Sequence, residues 1–148
     1  MLRAIIDTNV WVSALLNRAG APARVRSALA TGHFTLLVSA PLLDELGEVL
    51  MRPRLARKYG ITAADVTELL RLLSSRAEAV PVVGDLRLCR DPDDDVVIET
   101  AIRGGADMLV SRDDDLRDAP EVAEALAVVG IEVVSVRQFL LLLDDAAR

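Results

Sequence analysis

The sequence has few cysteines, histidines, lysines and aromatic residues, and each shortage narrows what the protein can be. The single cysteine, Cys89, excludes a disulfide framework and a zinc site built from cysteines. The chain has one histidine, His33, and one lysine, Lys58, so chemistry that needs a catalytic lysine has one candidate. Aromatic residues make up 3% of the chain, so leucine, valine, isoleucine and alanine must fill the core.

Long apolar runs are also missing. No run approaches the roughly 18 residues that a transmembrane helix needs, and the first residues, from Met1 to Arg3, do not resemble a secretory signal. With 148 residues and a hydrophobic share of 52%, the chain can bury a sizeable core without disulfides. We therefore expect one soluble domain over residues 1–148, located in the reducing cytoplasm and without membrane contact.

Charge is unevenly distributed along the chain. Residues 1–74 carry 9 basic and 6 acidic side chains, whereas residues 75–148 carry 8 basic and 17 acidic ones. The net charge of −6 argues against nonspecific adhesion to nucleic acid. It does not exclude a nucleic-acid enzyme whose acidic residues bind cations. The basic run of Arg52, Arg54, Arg57 and Lys58 is by default a solvated surface, with RNA contact as the alternative.

Short apolar runs alternate with longer helical patterns five times. The runs are nearly continuous in apolar residues, as in strands buried on both faces of a parallel sheet. This alternation predicts an α/β protein, a three-layer α/β/α sandwich around a parallel sheet of about five strands. The predicted strands are Ala4–Ile6, Leu36–Val38, Ala77–Val80, Met108–Val110 and Glu132–Val134.

Proline, glycine and capping residues mark the helix ends. Pro22 and Pro41 suit first helical positions, and Ser39 is a candidate cap for the second of these helices. Thr62 to Asp65 has the spacing of a capping box at the start of another helix. Asp91–Pro92 begins a helix that extends to about Arg103, and Gly104–Gly105 ends it. Ser135 is a candidate cap for the last helix.

Acidic residues follow several predicted strands. Asp7 comes directly after the first strand, Glu45 lies early in the helix after the second, Asp93 to Asp95 open the helix before the fourth, and Asp113 follows that strand. Helices that run antiparallel to the strands start at the carboxyl edge of the sheet, where ligands bind in such folds. The sequence therefore predicts that these acids converge at one edge.

Converging carboxylates repel one another unless a cation neutralises them. Mg²⁺ or Mn²⁺ prefers oxygen ligands, and one or two such ions support phosphodiester hydrolysis. A metal-free ribonuclease would instead use paired histidines or a histidine with a carboxylate, whereas His33 is alone and precedes the second strand. Each acid also has a structural interpretation: Asp7 could cap a helix, Glu45 could be solvated, and the Asp91 to Asp95 run could complement a helix dipole.

Four stretches follow one another with a characteristic order and spacing: Ile5 to Val10, Ser39 to Leu46, Cys89 to Asp95 and Ala106 to Asp113. Together they resemble the PIN-domain family, specifically the relatives of VapC toxins from toxin–antitoxin systems. Any one of them is weakly specific, but the ordered set with its spacing is strongly so.

The resemblance implies a Rossmann-like PIN fold and a Mg²⁺- or Mn²⁺-dependent endoribonuclease holding one or two ions. It implies that water attacks the phosphate in line and the products carry a 5′-phosphate. Within this resemblance, Asp95 is chosen as the third acid over Asp93 and Asp94, because its spacing to Ile98, Ala101 and Ser111 matches the family pattern. Asp7→Asn and Asp95→Asn are each expected to abolish cleavage. The resemblance assigns the catalytic and metal-holding acids to Asp7, Glu45, Asp95 and Asp113, with Thr8, Asn9, Asp94, Glu99 and Ser111 as supporting residues or further ligands.

The resemblance further implies an antitoxin partner and a homodimer. The alternative is a PIN-like module that binds RNA or a protein without cleaving. A phospho-aspartate enzyme is disfavoured, because Asn9 stands where such phosphatases need a second Asp.

Overall fold

A computed structural model describes residues 1–112 and 120–147 of the chain. Within these residues the sheet has five strands, all parallel, in the order β3-β2-β1-β4-β5. The order reverses between β1 and β4, which opens a crevice at their carboxyl ends. The strands are β1 Arg3–Ile6, β2 Thr35–Val38, β3 Ala77–Ala79, β4 Met108–Ser111 and β5 Glu132–Ser135.

Helices cover both faces of the sheet. Buried residues of α1, α2, α3, α5 and α8 form the core on one face, and those of α6 and α7 form the core on the other. The three-layer α/β/α architecture that the sequence predicts is confirmed. The described helices are α1 Thr8–Leu16, α2 Ala21–Ala30, α3 Ala40–Leu50, α4 Pro53–Tyr59, α5 Ala63–Arg76, α6 Pro92–Arg103, α7 Pro120–Val128 and α8 Val136–Ala146.

The alternation of strand side chains divides the core. In β1, Ala4 and Ile6 pack against the face covered by α1 and α2, while Ile5 between them packs against α6. Successive side chains of a strand point to opposite faces, and both faces here are apolar. This explains why the central strands form unbroken apolar runs. The edge strand β3 differs, because Glu78 and Ala79 are exposed.

Most helix boundaries agree with the sequence signals. Thr62 and Asp65 form the complete capping box at the start of α5, Ser135 caps α8, and Gly104 ends α6. One helix, α4, lies within the basic run and was not predicted. Its boundary signals are Pro53 in the first turn and Gly60, with φ of +66°, at its end.

Helix length also bears on the membrane question. No described helix is both long enough and apolar enough to cross a bilayer.

Candidate functional site

Asp7 lies at the carboxyl end of β1, where the strand order reverses. Its backbone N–H donates to the carbonyl of Val110 at 2.9 Å, and the Ser111 hydroxyl donates to Asp7 Oδ2 at 3.3 Å. Asp7 occupies the capping position of α1, but its side chain makes no capping hydrogen bond. The helix-cap interpretation of this side chain is therefore wrong, and its carboxylate is half-buried between β1 and β4.

Glu45 lies in the second turn of α3, which begins at the same edge of the sheet. Its side chain is half-buried rather than fully solvated. Burial raises the pKa of Glu45 above its ordinary value, and the negative charges of Asp93, Asp91 and Asp94 raise it further. Glu45 on α3 is therefore close enough to the aspartates at the start of α6 to interact with them electrostatically.

Three successive aspartates at the start of α6 have different surroundings. Asp93 is exposed, Asp94 is half-buried and Asp95 is buried. Asp91, just before the helix, caps it by accepting a hydrogen bond from the N–H of Asp93 at 2.9 Å. Burial raises the pKa of Asp94, and the nearby carboxylates add to the rise, Asp91 most strongly.

Asp95 contacts the loop formed by residues 80–91, which connects β3 to α6. Its Oδ1 accepts hydrogen bonds from the backbone N–H groups of Leu88 at 2.9 Å and Cys89 at 2.8 Å. The Leu88 bond, helped by that of Cys89, lowers the pKa of Asp95 although its side chain is only 4% exposed.

Glu99, one turn further along α6, contacts the same loop. Its two carboxylate oxygens accept hydrogen bonds from the N–H groups of Val83 at 2.8 Å and Gly84 at 3.0 Å. Arg103 Nε donates a hydrogen bond to Glu99 Oε2 at 2.7 Å, and Arg103 Nη2 lies 3.9 Å from Asp85 Oδ1. The Val83 bond is the largest of the contacts that lower the pKa of Glu99, so this carboxylate is held charged by the loop.

A small, mainly apolar cavity lies beside Asp7, and Glu45 and Asp94 are not among the residues that line it. Asp7 and Thr8 line it from β1 and α1, Leu46 lines it from α3, and Val97 lines it from α6. Asp94 precedes Val97 by three residues and therefore lies on the same side of α6. Asp94 thus shares a helix face with a residue that lines the cavity beside Asp7, whereas Asp95 and Glu99 lie on the face that contacts the loop.

The other predicted residues lie as follows. Asn9 is exposed in the first turn of α1, and Asp113 lies outside the described residues. The basic residues are exposed on α4 or at its start, and no ion pair involves them within the part of the chain that the structure describes; they are Arg52, Arg54, Arg57 and Lys58.

A divalent cation suits this donor set by charge and by atom type. The largest charge effects on Glu45 and Asp94 come from other carboxylates, which are the oxygen ligands that Mg²⁺ and Mn²⁺ prefer. Among residues 1–112 and 120–147, no three His, Cys, Asp or Glu residues are already grouped closely enough to hold an ion. The donor set therefore fits a divalent cation by its concentration of negative charge and its oxygen donors.

A buried hydroxyl pair that was not predicted joins the two acid-bearing helices, and the predicted capping hydrogen bond of Ser39 is absent. The hydroxyl groups of Ser39, at the start of α3, and Thr100, in α6, lie 2.9 Å apart and are both buried. A threonine on the apolar face of a helix was the available signal, because a buried hydroxyl needs a partner. The partner itself cannot be read from spacing, since 61 residues separate the two.

Comparison with known proteins adds three findings. A family model described as PIN domain matches residues 3–115. An uncharacterized protein from Methanocaldococcus jannaschii is 30% identical over 115 residues, which are 78% of this chain and 73% of that protein. The fold is similar to a crystal structure of VapBC2 from Rickettsia felis bound to a DNA fragment from their promoter, with a TM-score of 0.54, 15% identity, and coverage of 90% of this chain and 98% of that chain.

Proposed function

Because the chain belongs to the PIN domain family, we propose that it is a Mg²⁺- or Mn²⁺-dependent endoribonuclease that hydrolyses RNA phosphodiester bonds. Nuclease activity is the general activity of this family. One observation carries the proposal for this chain: β1, α1, α3 and α6 meet around a small cavity beside Asp7. Glu45 and Asp94 are half-buried, and burial and neighbouring carboxylates raise the pKa of both, which is the environment that a bound cation stabilises.

We assign the third metal-holding acid to Asp94 in place of Asp95. Asp94 is half-buried, and its helix face is the one that carries Val97 into the cavity. Asp95 instead uses Oδ1 to bind two backbone N–H groups. Residues of a helix are rotated by about 100° from one to the next, so the side chains of adjacent aspartates point in different directions.

The metal-holding residues in this proposal are Asp7, Glu45 and Asp94, with Asp113 retained from the sequence analysis. When bound, one or two ions would polarise the scissile phosphate and lower the pKa of a water molecule. The Ser111 hydroxyl restrains the Asp7 carboxylate through a hydrogen bond to its Oδ2. In-line hydrolysis with departure of the 3′ oxygen yields products that carry a 5′-phosphate.

The RNA backbone would contact the basic surface of α4. Its cations are exposed and have no anionic partner in the described part of the chain, so they are available to phosphates. Tyr59, 47% exposed, lies under the ammonium of Lys58, 5.3 Å from the ring centre, and offers a face for base stacking.

Assembly and location belong to the same proposal. We expect residues 1–148 to act as one domain in the cytoplasm, as the toxin partner of an antitoxin encoded by a neighbouring gene. The fold similarity to VapBC2 supports the choice of partner class. A homodimer would cover the apolar side chains of Leu141 and Leu142 on α8, which are 60% and 36% exposed.

The test is RNA cleavage by the purified protein with and without Mn²⁺. We expect cleavage that EDTA stops and products with a 5′-phosphate. Asp7→Asn, Glu45→Gln and Asp94→Asn should each reduce the rate by at least about 100-fold, since even residues that only support a ligand cost 10–100-fold. Asp44→Asn is the matched control, because Asp44 is the exposed neighbour of Glu45 on α3.

The outcomes separate the proposal from its main alternative. If Mn²⁺ neither supports cleavage nor raises the melting temperature, the chain is a binding module and the nuclease proposal fails. If Asp94→Asn cleaves as fast as the Asp44→Asn control, Asp94 is removed from the site.

A further inference from the structure

We propose that Asp95 is a positioning residue that anchors the loop of residues 80–91 and thereby orients the acidic start of α6. The inference rests on the proposed function, because the carboxylate that it positions, Asp94, is one of those proposed to hold the ion. It assigns Asp95 a role different from the one that the family resemblance implies.

The anchor belongs to a row of charged side chains along one face of α6. Asp95, Glu99 and Arg103 are spaced by four residues and so lie one above the other. We call these three residues the anchor row. Asp95 accepts hydrogen bonds from the loop at Leu88 and Cys89. Glu99 accepts one from Val83 and one from Gly84, each on a different carboxylate oxygen. Arg103 contacts both Glu99 and Asp85.

The row therefore holds the loop along the length of the helix. Val80, at the start of the loop, packs in the core beside Ile98 and Ala101 of α6. At its other end the loop enters α6 through the capping residue Asp91. The Asp95 contacts, at Leu88 and Cys89, lie two to three residues before Asp91, so they influence the direction in which the first turn of α6, including Asp94, approaches the site.

The geometry of the Asp95 contacts makes the proposal testable. Both N–H donors bind the same atom, Oδ1. The amide oxygen of asparagine occupies the same place and accepts hydrogen bonds without a charge. A glutamate keeps the charge but moves its oxygens outward by one methylene in a site that is 4% exposed. A positioning role therefore tolerates Asn better than Glu, and a metal-ligand role tolerates Glu better than Asn.

The experiment compares Asp95→Asn, Asp95→Glu and Asp94→Asn with the unchanged chain. In EDTA, amide hydrogen exchange at Leu88 and Cys89 is followed by NMR. Mn²⁺ affinity is then measured by calorimetry, so that neither readout depends on cleavage. Asp44→Asn controls for the loss of one acidic charge on a helix that also carries a proposed ligand.

We expect Asp95→Asn to keep both amides protected and to weaken Mn²⁺ binding by less than about five-fold, the effect of losing one screened charge nearby. Asp95→Glu should expose the amides and weaken binding by about 10–100-fold, as supporting residues do. Asp94→Asn should leave the amides protected and weaken binding more than Asp95→Asn does.

Two results would overturn the positioning role. One is an Asp95→Asn variant that keeps its protected amides and yet loses Mn²⁺ as Asp94→Asn does, since Asp95 would then be a ligand. The other is Asp95→Glu binding Mn²⁺ as tightly as the unchanged chain. If Asp95→Glu does not fold, the comparison of Asp95→Asn with Asp94→Asn alone decides. Failure of the proposed function is recognised separately, because the unchanged chain would then bind no Mn²⁺ while the amide protection still reports the anchor.

Discussion

Carboxylates of two kinds lie within one helix of this protein. Glu99 and Asp95 accept backbone N–H donors, and these contacts lower their pKa values. Asp94 is surrounded by other acids, and its pKa is raised, first by burial and then by their charges. Residue type alone does not distinguish the two kinds. The difference is whether a side chain faces hydrogen-bond donors or like charges.

Glu99→Gln should destabilise the protein at neutral pH and much less in acid. The amide nitrogen of Gln cannot accept the N–H of Val83 or Gly84, so we expect a loss of about 2 kcal/mol in the free energy of unfolding at pH 7. In the folded protein the pKa of Glu99 lies below its ordinary value of 4.5. The charged carboxylate therefore contributes its full stabilisation above pH 4.5. This stabilisation is lost as the pH falls through the lower pKa of the folded state.

Urea unfolding of Glu99→Gln and the unchanged chain between neutral and acidic pH checks this prediction. The difference between the two proteins should shrink as the pH falls. Glu124→Gln, an exposed glutamate on α7, should show little difference at any pH. A Glu99→Gln difference that stays constant with pH would show that the charge of Glu99 does not contribute.

At the scale of elements, the site depends on how α3 and α6 sit against one another. The buried hydroxyls of Ser39 and Thr100 lie 2.9 Å apart between them, and Thr100 Oγ1 also lies 2.7 Å from the carbonyl oxygen of Val96. A hydroxyl has one proton to donate, so Thr100 donates to one of these groups and can accept from Ser39. The pair thus links the helix that carries Glu45 to the one that carries Asp94.

Thr100→Val should cost roughly 2 kcal/mol of unfolding free energy, because it leaves the buried Ser39 hydroxyl without this partner. Adding Ser39→Ala should restore part of the loss, since two apolar groups of similar shape need no hydrogen bond. Urea denaturation of the single and double variants measures the coupling, with Thr67→Val on the exposed side of α5 as control. Strictly additive effects would show that the two hydroxyls are not coupled.

Element boundaries were the most predictable part of the molecule. All five predicted strands are confirmed, each to within one residue at either end, because an unbroken apolar run between turns has few other structures available. Helix α4 was missed, since its basic residues give no apolar stripe and buried residues are absent from it. The exposure of β3 was also missed, because edge position is a property of the whole sheet.

At the scale of the whole molecule, the distribution of charge predicts how RNA binding should respond to salt. Affinity for single strands falls with salt by a slope of about −0.7 per phosphate that a cation neutralises. Exchanging both Arg54 and Arg57 for glutamine should therefore reduce the magnitude of the slope by about 1.4. Fluorescence anisotropy with labelled single-stranded RNA, in the Asp7→Asn background that should prevent cleavage, measures this slope.

The control is the double exchange of Arg71 and Arg76 on α5 for glutamine, which lowers the net charge equally. If both double variants change the slope by the same amount, the effect belongs to net charge and α4 is not a contact surface. If only the α4 variant changes it, phosphates contact that helix.

The sequence by itself determined the architecture of this protein and the edge of the sheet on which its acids lie. Apolar periodicity dictates which segments pair, and parallel strands joined by helices bring Asp7 and the starts of α3 and α6 to their carboxyl ends. The architecture and this sheet edge depend only on the local apolar pattern and the direction of the chain, and the residue order determines both.

Only the tertiary structure decided what each acid contacts. Asp94 and Asp95 are chemically identical neighbours, and they differ because the loop of residues 80–91 folds back over one face of α6 and leaves the other towards Asp7. The partners of a buried polar group come from distant parts of the chain. Their identity depends on how helices and loops pack, and adjacent positions in a helix are turned by about 100° towards different neighbours.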